Sequence, residues 1–152
     1  MSELTIRKAT LEDIHPIVCL LANDVLGATR EDASQPLNNA YRSAFEAIDA
    51  DPNQYLAVAV VEDRVIGTLQ LTFIPNISRL GAWRGQIEAV RVDESMRDKG
   101  LGRTLFEWAF EQCRDRGCQF VQLTCDHQRT GAHHFYESLG FEPSHIGFKK
   151  TL

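Results

Sequence analysis

The sequence of 152 residues lacks the features that mark a membrane-spanning, secreted or zinc-binding protein. No apolar run reaches the roughly 18 residues that a membrane-spanning helix needs. The first residues also lack the basic and then apolar layout of a signal peptide. Four cysteines are present, but none forms a C-x-x-C pair and none has a histidine at zinc-site spacing. We therefore expect reduced thiols, no metal, no membrane contact and a cytoplasmic location.

Basic residues are in the minority, with 16 lysines and arginines against 21 aspartates and glutamates and a formal net charge of -5. Phosphate backbones select basic surfaces, so this balance argues against a general nucleic-acid-binding protein. Hydrophobic residues make up 43% of the chain, which suffices for one globular core but not for two. Because no linker or repeat interrupts the chain, we expect a single domain over residues 1–152.

The periodicity of apolar residues predicts an alternation of strands and helices. The second and third strands form a hairpin around a turn at residues 62–64. Gly117 and Gly140 stand where left-handed caps would end two of the helices. The predicted strands cover residues 4–9, 55–61, 65–74, 85–92, 120–125 and 145–151, and the predicted helices cover residues 14–25, 36–48, 100–116 and 130–139.

A basic loop with two glycines stands between the fourth predicted strand and the helix after it. A helix start offers unpaired N–H groups and a positive dipole end, and glycine lets an anion approach closely. The Walker pattern G-x-x-x-x-G-K-[ST] is absent, and the dinucleotide pattern G-x-G-x-x-G fails at Leu105. The sequence therefore predicts a phosphate or pyrophosphate site of another kind, formed by Arg97, Asp98, Lys99, Gly100, Leu101, Gly102 and Arg103.

Two motifs connect this loop to a known family. The pattern [RQ]-x-x-G-x-[GA] follows a strand and is met by Arg97, Gly100 and Gly102, and the pattern A-x-x-F-Y-E-x-L-G-F is met from Ala132 to Phe141. In this combination and spacing, the chain resembles the GNAT superfamily of N-acetyltransferases over nearly its whole length. One position departs from the pattern, since Arg129 stands where many members carry asparagine.

The resemblance implies a mixed α/β fold with a bent sheet of about six or seven strands and four helices on its two faces. Two central strands, ending near Val92 and Cys125, would splay apart and hold the arm of acetyl-CoA between them. Backbone groups of Val90, Arg91 and Val92 would pair with the pantetheine, and residues 98–103 would hold the pyrophosphate. Acetyl-CoA is therefore the expected co-substrate.

Transfer to an alkylamine requires a base, because an amine with a pKa near ~10.4 is almost fully protonated at neutral pH. Glu88 is the candidate base, since in a regular strand it would share a face with Val90 and Val92 as a carboxylate among apolar side chains. Asp126, acting alone or through water, is the alternative base. The resemblance assigns Tyr136 as the general acid that donates a proton to the departing sulfur.

Other interpretations of the same region stay open from the sequence. Tyr136 lies on an apolar helical stripe, as a core tyrosine would. His133 and His134 could serve as bases on the helix surface. Cys125 would permit a covalent mechanism, although the spacing gives it no activating partner.

The function implied is transfer of an acetyl group from acetyl-CoA to a primary amine of a small molecule, by direct attack in a ternary complex. A protein or peptide acetyltransferase and a non-catalytic acyl-CoA sensor are the alternatives. Leu80 and Trp83, bulky residues of a predicted loop, favour a closed acceptor pocket or a subunit contact. A homodimer is expected by family analogy, whereas no pattern in the sequence identifies the acceptor.

Overall fold

A computed structural model describes residues 2 to 126 and 130 to 152. Within these residues, five strands form one sheet in the order β1-β2-β3-β4-β5, with antiparallel neighbours except for the parallel pair β4–β5. The strands are β1 (Thr5–Lys8), β2 (Gln54–Val61), β3 (Arg64–Ile74), β4 (Arg84–Val92) and β5 (Phe120–Gln122).

The four predicted helices are present, together with a single additional turn before β4. In that turn Arg79 and Leu80 have φ values of 56° and 60°, so the backbone there is left-handed rather than regularly helical. No helix in the described part of the chain is long and apolar enough to cross a membrane. The helices are α1 (Ile14–Ala22), α2 (Asn39–Ala50), α3 (Ser78–Gly81), α4 (Leu101–Asp115) and α5 (Thr130–Ser138).

One face of the sheet packs against α4 and forms the larger core. Leu69, Leu71 and Phe73 alternate along β3 toward this face, and each is at most 2% exposed. They belong to one cluster with apolar residues that α4 contributes at helical spacing, Leu101, Leu105, Phe106, Ala109 and Cys113. The period of two on the strand and the helical period on α4 therefore produce the same buried layer.

The other face is covered in part by α1 and α2. Val58 of β2 packs there with Ile14, Val18 and Phe45 in a second, smaller core. Helices consequently lie on both faces of a mixed sheet, as predicted.

The entry to α1 is fixed by a buried carboxylate. Asp13, 6% exposed, accepts a hydrogen bond from the Thr10 amide at 2.7 Å and two from the Arg7 guanidinium at 2.7 and 3.1 Å. Burial alone would raise the pKa of Asp13, but the hydrogen bonds from Arg7 and Thr10 outweigh it and lower that pKa. The pair therefore joins β1 to the start of the helical layer.

The predicted last strand is wrong, and the sheet has five strands rather than six or seven. Residues 141–152 form neither helix nor strand, and β5 ends at Gln122 instead of residue 125. The tail lies near the segment after β5, since a Cβ on Gly147 would be 3.6 Å from the Thr124 side chain, but it forms no ladder with the described residues. Ile146 and Phe148, which alternate as in a strand, are 81% and 92% exposed.

Candidate functional site

The basic loop before α4 forms an open helix start. Asp98 and Gly100 have φ values of 61° and 81°, and Gly100 is the N-cap of α4. A Cβ added to Gly100 would meet no atom within 4 Å, so the space beside it is free. The amide of Thr104 donates to the Gly100 carbonyl at 3.1 Å, so the amides before it point out of the helix. With Arg97 and Lys99 exposed alongside, this cradle fits a phosphate group.

The start of α4 also contacts α5. A Cβ on Gly102 would lie 3.5 Å from the ring of Phe135, and Arg103 donates through Nη2 to the Ser138 hydroxyl at 3.0 Å. The structure thus brings the predicted phosphate loop beside the helix that carries Tyr136.

Tyr136 is half-buried in an aromatic cluster. Its ring centroid lies 5.8 Å from that of Phe106 and 6.2 Å from that of Phe141, both in edge-on geometry. This is the position of a core tyrosine, on the helix that contacts the start of α4, and the role of Tyr136 as general acid stays a prediction.

The central strands splay apart as predicted. β4 and β5 pair only from Arg84 opposite Phe120 to Gln86 opposite Gln122. β4 then continues for six residues to Val92 without this neighbour, while the chain after β5 departs. The result is a wedge between residues 87–92 and 123–126, in which β4 has no strand beside it on the β5 side.

A β-bulge interrupts β4 inside this wedge. Thr68 of β3 stands opposite Arg91 and Gln70 stands opposite Glu88, so one residue of β3 faces two of β4. The extra residue is Ala89, with φ of 54°.

The bulge decides which side chains share a face. Val90 and Val92 pack into the core beside α4, where Ile87 also lies. Glu88 is exposed and shares the opposite face with its cross-strand partner Gln70. The expectation that Glu88 shares a face with Val90 and Val92 is therefore wrong, because it assumed a regular strand.

Arg91 links the bulge to the loop after α1. Its Nη1 donates to the carbonyl of Val90 at 2.8 Å, and its Nη2 lies 3.4 Å from a carboxylate oxygen of Asp24. Both side chains are mostly buried, with 21% and 16% exposure. Asp24 also accepts a hydrogen bond from the amide of Gly27 at 3.2 Å. Asp24 was missed from the sequence, because no local pattern relates it to a strand more than 60 residues away.

The remaining candidates lie around the wedge. Asp126 forms an ion pair with Arg30 at 3.6 Å, and the Cys125 thiol contacts the carbonyl of Asp126 at 3.5 Å. His133 and His134 are exposed on α5. The predicted departure at Arg129 lies outside the described residues. In the part of the chain that the structure describes, no group of three His, Cys, Asp or Glu could hold a metal ion.

Between the wedge and α2, the sheet presents polar side chains that the sequence did not single out. Gln54 accepts from Gln70 at 3.0 Å and from Thr72 at 2.9 Å, and Gln122 donates to Gln86 at 2.6 Å. We call this surface the open face; it consists of Gln54, Gln70, Thr72, Arg84, Gln86, Glu88 and Gln122. Beside it lies an apolar cavity of about 140 Å³ between α1, α2 and the sheet, which Gln70 and Ala89 also line.

Comparison with known proteins places this geometry in a family. The model of the acetyltransferase (GNAT) family matches residues 21–141. The chain is similar over its whole length to a solved protein of Bacillus halodurans C-125 described as a transcriptional regulator, with 44% identity, a TM-score of 0.96 and coverage of 99% of this chain and 100% of that one.

Two curated relatives are named for their reactions. An aminoalkylphosphonate N-acetyltransferase of Salmonella typhimurium is 29% identical over 97% of this chain and 90% of its own. A glucosamine 6-phosphate N-acetyltransferase of Oryza sativa subsp. japonica is 33% identical over 74% of this chain and 69% of its own.

Proposed function

The chain belongs to the GNAT family of acetyltransferases and is an acyltransferase enzyme; we propose that it transfers the acetyl group of acetyl-CoA to a primary amine of a small molecule by direct attack. Two features that lie together at the C-terminal end of β4 carry the proposal. The open start of α4 offers a phosphate cradle, and the wedge beside it leaves residues 90–92 without a neighbouring strand on the side toward β5.

These features fit the two chemical parts of the donor. Residues 98–103 would receive the pyrophosphate at the helix start, where amides and basic side chains converge. The backbone of Val90, Arg91 and Val92 would pair with the amide groups of the pantetheine arm, as a strand would. The open space beside Gly100 is the part of the cradle that a side chain would otherwise fill.

In the proposed mechanism the bulge and two side chains act on the reacting groups. Glu88 takes the proton from the attacking amine, directly or through a water molecule. A backbone N–H near Val90, freed from the ladder by the bulge, donates to the acetyl carbonyl oxygen as negative charge develops there. Tyr136 then donates a proton to the leaving sulfur, whose thiol has a pKa of about 8.5 by analogy with cysteine.

The exposure of Glu88 supports access to an acceptor from the open face. Asp126 remains the alternative base, although its carboxylate is held by Arg30. Glu88→Gln should lower kcat for a small amine, whereas Asp126→Asn should leave kcat nearly unchanged. The opposite pattern would assign the base to Asp126.

Tyr136→Phe should lower turnover while acetyl-CoA still binds, and normal turnover would leave Tyr136 as a core residue only.

Small-molecule acceptors are favoured by the names of the curated relatives, which act on an aminoalkylphosphonate and on glucosamine 6-phosphate. The acceptor would lie between the open face and the cavity under α2, within reach of Glu88. A cavity of about 140 Å³ suits a compact amine better than a protein surface.

The proposal includes a cytoplasmic homodimer. The four cysteines are thiols, as in proteins of reducing compartments. Ile146, Phe148 and Leu152 leave apolar surface exposed in the tail, and a second copy of the chain would cover it. Light scattering should therefore give twice the 17.2 kDa of one chain, and a mass of one chain would refute the dimer.

The deciding experiment is a panel of amines, amino acids, polyamines, aminoglycosides and peptides incubated with acetyl-CoA. Release of free thiol that depends on a small amine supports the proposal, and release with peptides alone would indicate a protein acetyltransferase. Binding of acetyl-CoA without release across the panel would indicate an acyl-CoA sensor.

A further inference from the structure

The open face carries opposite charges at the two ends of β4. Glu88 and Arg84 are four residues apart on the same face, which separates their Cα atoms by about 13 Å at about 3.3 Å per residue. Between them stand neutral amides, since Gln86 pairs with Gln122. A ligand lying along this strand would therefore meet a carboxylate at one end and a guanidinium at the other.

Arg84 is held in place but not neutralised. Its Nη1 donates to the side-chain oxygen of Asn76 at 2.8 Å, and Asn76 in turn donates to the carbonyl of Ala82 at 3.2 Å. The Nε of Arg84 is buried without a hydrogen-bond partner in residues 2–126 and 130–152. None of the ion pairs in those residues includes Arg84, so its charge meets no carboxylate there.

A second arginine stands beside it. Arg79 lies over the ring of Phe120 at 5.2 Å from the centroid, and Phe120 is the cross-strand neighbour of Arg84. Among the described residues Arg79 likewise has no carboxylate within salt-bridge distance. One arginine thus lies over the Phe120 ring and another at its cross-strand position, and neither has an acidic partner among the described residues of a chain whose net charge is -5.

We propose that the acceptor carries an oxyanion group, a phosphate, phosphonate or carboxylate, which Arg84 binds with help from Arg79 while the amine lies at Glu88. The guanidinium fork matches such groups in a way that a neutral amide does not. Gln86 and Gln122 offer hydrogen bonds to the body of the molecule between its two charged ends. This inference rests on the proposed function, since it names the class of amine for the same site.

The test pairs each amine with an anionic form of the same body: glucosamine with glucosamine 6-phosphate, ethanolamine with phosphoethanolamine, and propylamine with β-alanine. The first two pairs examine phosphate and the third examines carboxylate. The wild-type protein should acetylate the anionic member of at least one pair with higher kcat/KM. In Arg84→Gln that preference should fall about tenfold or more, as expected for the loss of a charge-assisted hydrogen bond.

Three control variants separate anion binding from support of the fold. Arg116→Gln removes an arginine that also lies over an aromatic ring, that of Phe73 at 4.2 Å, but outside the open face, and should change nothing. Asn76→Ala removes the neighbour that holds Arg84. Arg79→Gln should give a smaller loss for the same amines.

If Arg84→Gln and Asn76→Ala both lower kcat/KM equally for the neutral and the anionic member of a pair, Arg84 is a structural residue and the inference is overturned. A wild-type protein that acetylates neutral amines without any anionic preference would overturn it and leave the proposed function standing. If no amine is acetylated, the proposed function fails. Calorimetric titration of glucosamine 6-phosphate, phosphoethanolamine and β-alanine then decides: binding weakened in Arg84→Gln supports the inference, and no binding overturns it.

Discussion

The two faces of the sheet are built from the same strands but have different chemistry. On the face toward α4, Leu69 and Leu71 are completely buried, whereas their neighbours Gln70 and Thr72 on the other face keep contact with solvent. The first face is closed by apolar packing and fixes where α4 begins, and so where the phosphate cradle stands. The second face is only half covered by α1 and α2, which leaves polar groups for a ligand.

In the proposed function the donor lies at the packed end of β4 and the acceptor on the half-covered face. A GNAT enzyme needs the same acetyl-CoA cradle whatever amine it modifies, so a packed support suits it. The acceptor site must instead be able to change between relatives without disturbing the core. Substitutions on the two faces should consequently have effects of different kinds.

The largest effect is expected at the donor cradle. Changing Arg97→Glu and Lys99→Glu together should weaken acetyl-CoA binding about 100-fold, because two favourable charges near phosphate become repulsive. Calorimetry measures this affinity directly. A variant with the same change in charge on distant helix surfaces, Arg42→Glu with Arg114→Glu, serves as the control. An affinity within threefold of the wild type in the cradle variant would show that phosphate lies elsewhere.

The next effect is a loss of stability where β4 packs against α4, caused by a substitution that changes no charge. A Cβ on Gly85 would lie 2.3 Å from the sulfur of Cys113, whose thiol is so buried that desolvation raises its pKa to about 12. Gly85→Ala should therefore lower the free energy of unfolding by about 2 kcal/mol through overpacking. Urea denaturation measures the loss.

Removing the obstructing sulfur tests that explanation. In a Cys113→Ala background, Gly85→Ala should cost much less, since its new methyl group gains room. Gly102→Ala is the matched control, because its Cβ would meet Phe135 at an ordinary 3.5 Å. If Gly85→Ala were as mild as Gly102→Ala, the packed face would be more compliant than the structure indicates.

The helix start that we propose for the donor could be predicted from the sequence because its signals are local. A segment of seven residues, four before α4 and three in its first turn, specifies an open helix start with left-handed Gly100 through nearby residues alone. The position of Tyr136 followed from a motif of ten residues. The open face could not be predicted in this way, since its members come from four strands and meet only through sheet register.

Two failed predictions have the same cause, since each assumed a regular strand. The face of the sheet on which Glu88 lies depends on one extra residue in β4, Ala89. The alternation of apolar and polar residues along a strand does not show where such a bulge occurs. The tail at residues 145–151 has the alternation of a strand, but alternation does not provide a neighbouring strand to pair with.

A smaller effect should follow from the ion pair that supports the bulge. Asp24→Asn should lower kcat about tenfold, because Arg91 would lose a charged partner and hold the Val90 carbonyl less firmly. The KM for acetyl-CoA should change little, which separates positioning of the bulge from binding of the donor. Asp24→Glu should recover part of the activity.

The control is an exposed ion pair with the same distance between its charged atoms. Asp49 lies 3.4 Å from Lys8, the same separation as between Asp24 and Arg91, but both residues are about half exposed. Asp49→Asn should therefore leave kcat unchanged. Equal effects of the two substitutions would remove the bulge from the proposed mechanism.

The smallest effect concerns the apolar part of the second face, where Asp13 holds the start of α1. The pKa of Asp13 is lowered in the folded protein, so its contribution to stability is present above its unfolded pKa of about 3.9 and is lost as the pH falls through the folded value. Asp13→Asn should lower the free energy of unfolding by about 1 kcal/mol at neutral pH; the loss is modest because Arg7 is partly exposed to solvent. The loss should be smaller in acid, where Asp13 itself becomes protonated. The wild-type and variant unfolding free energies should therefore converge below about pH 4, near the unfolded pKa. A constant difference across that range would mean that Asp13 acts through packing rather than charge, and that α1 is held over the sheet by the apolar contacts alone.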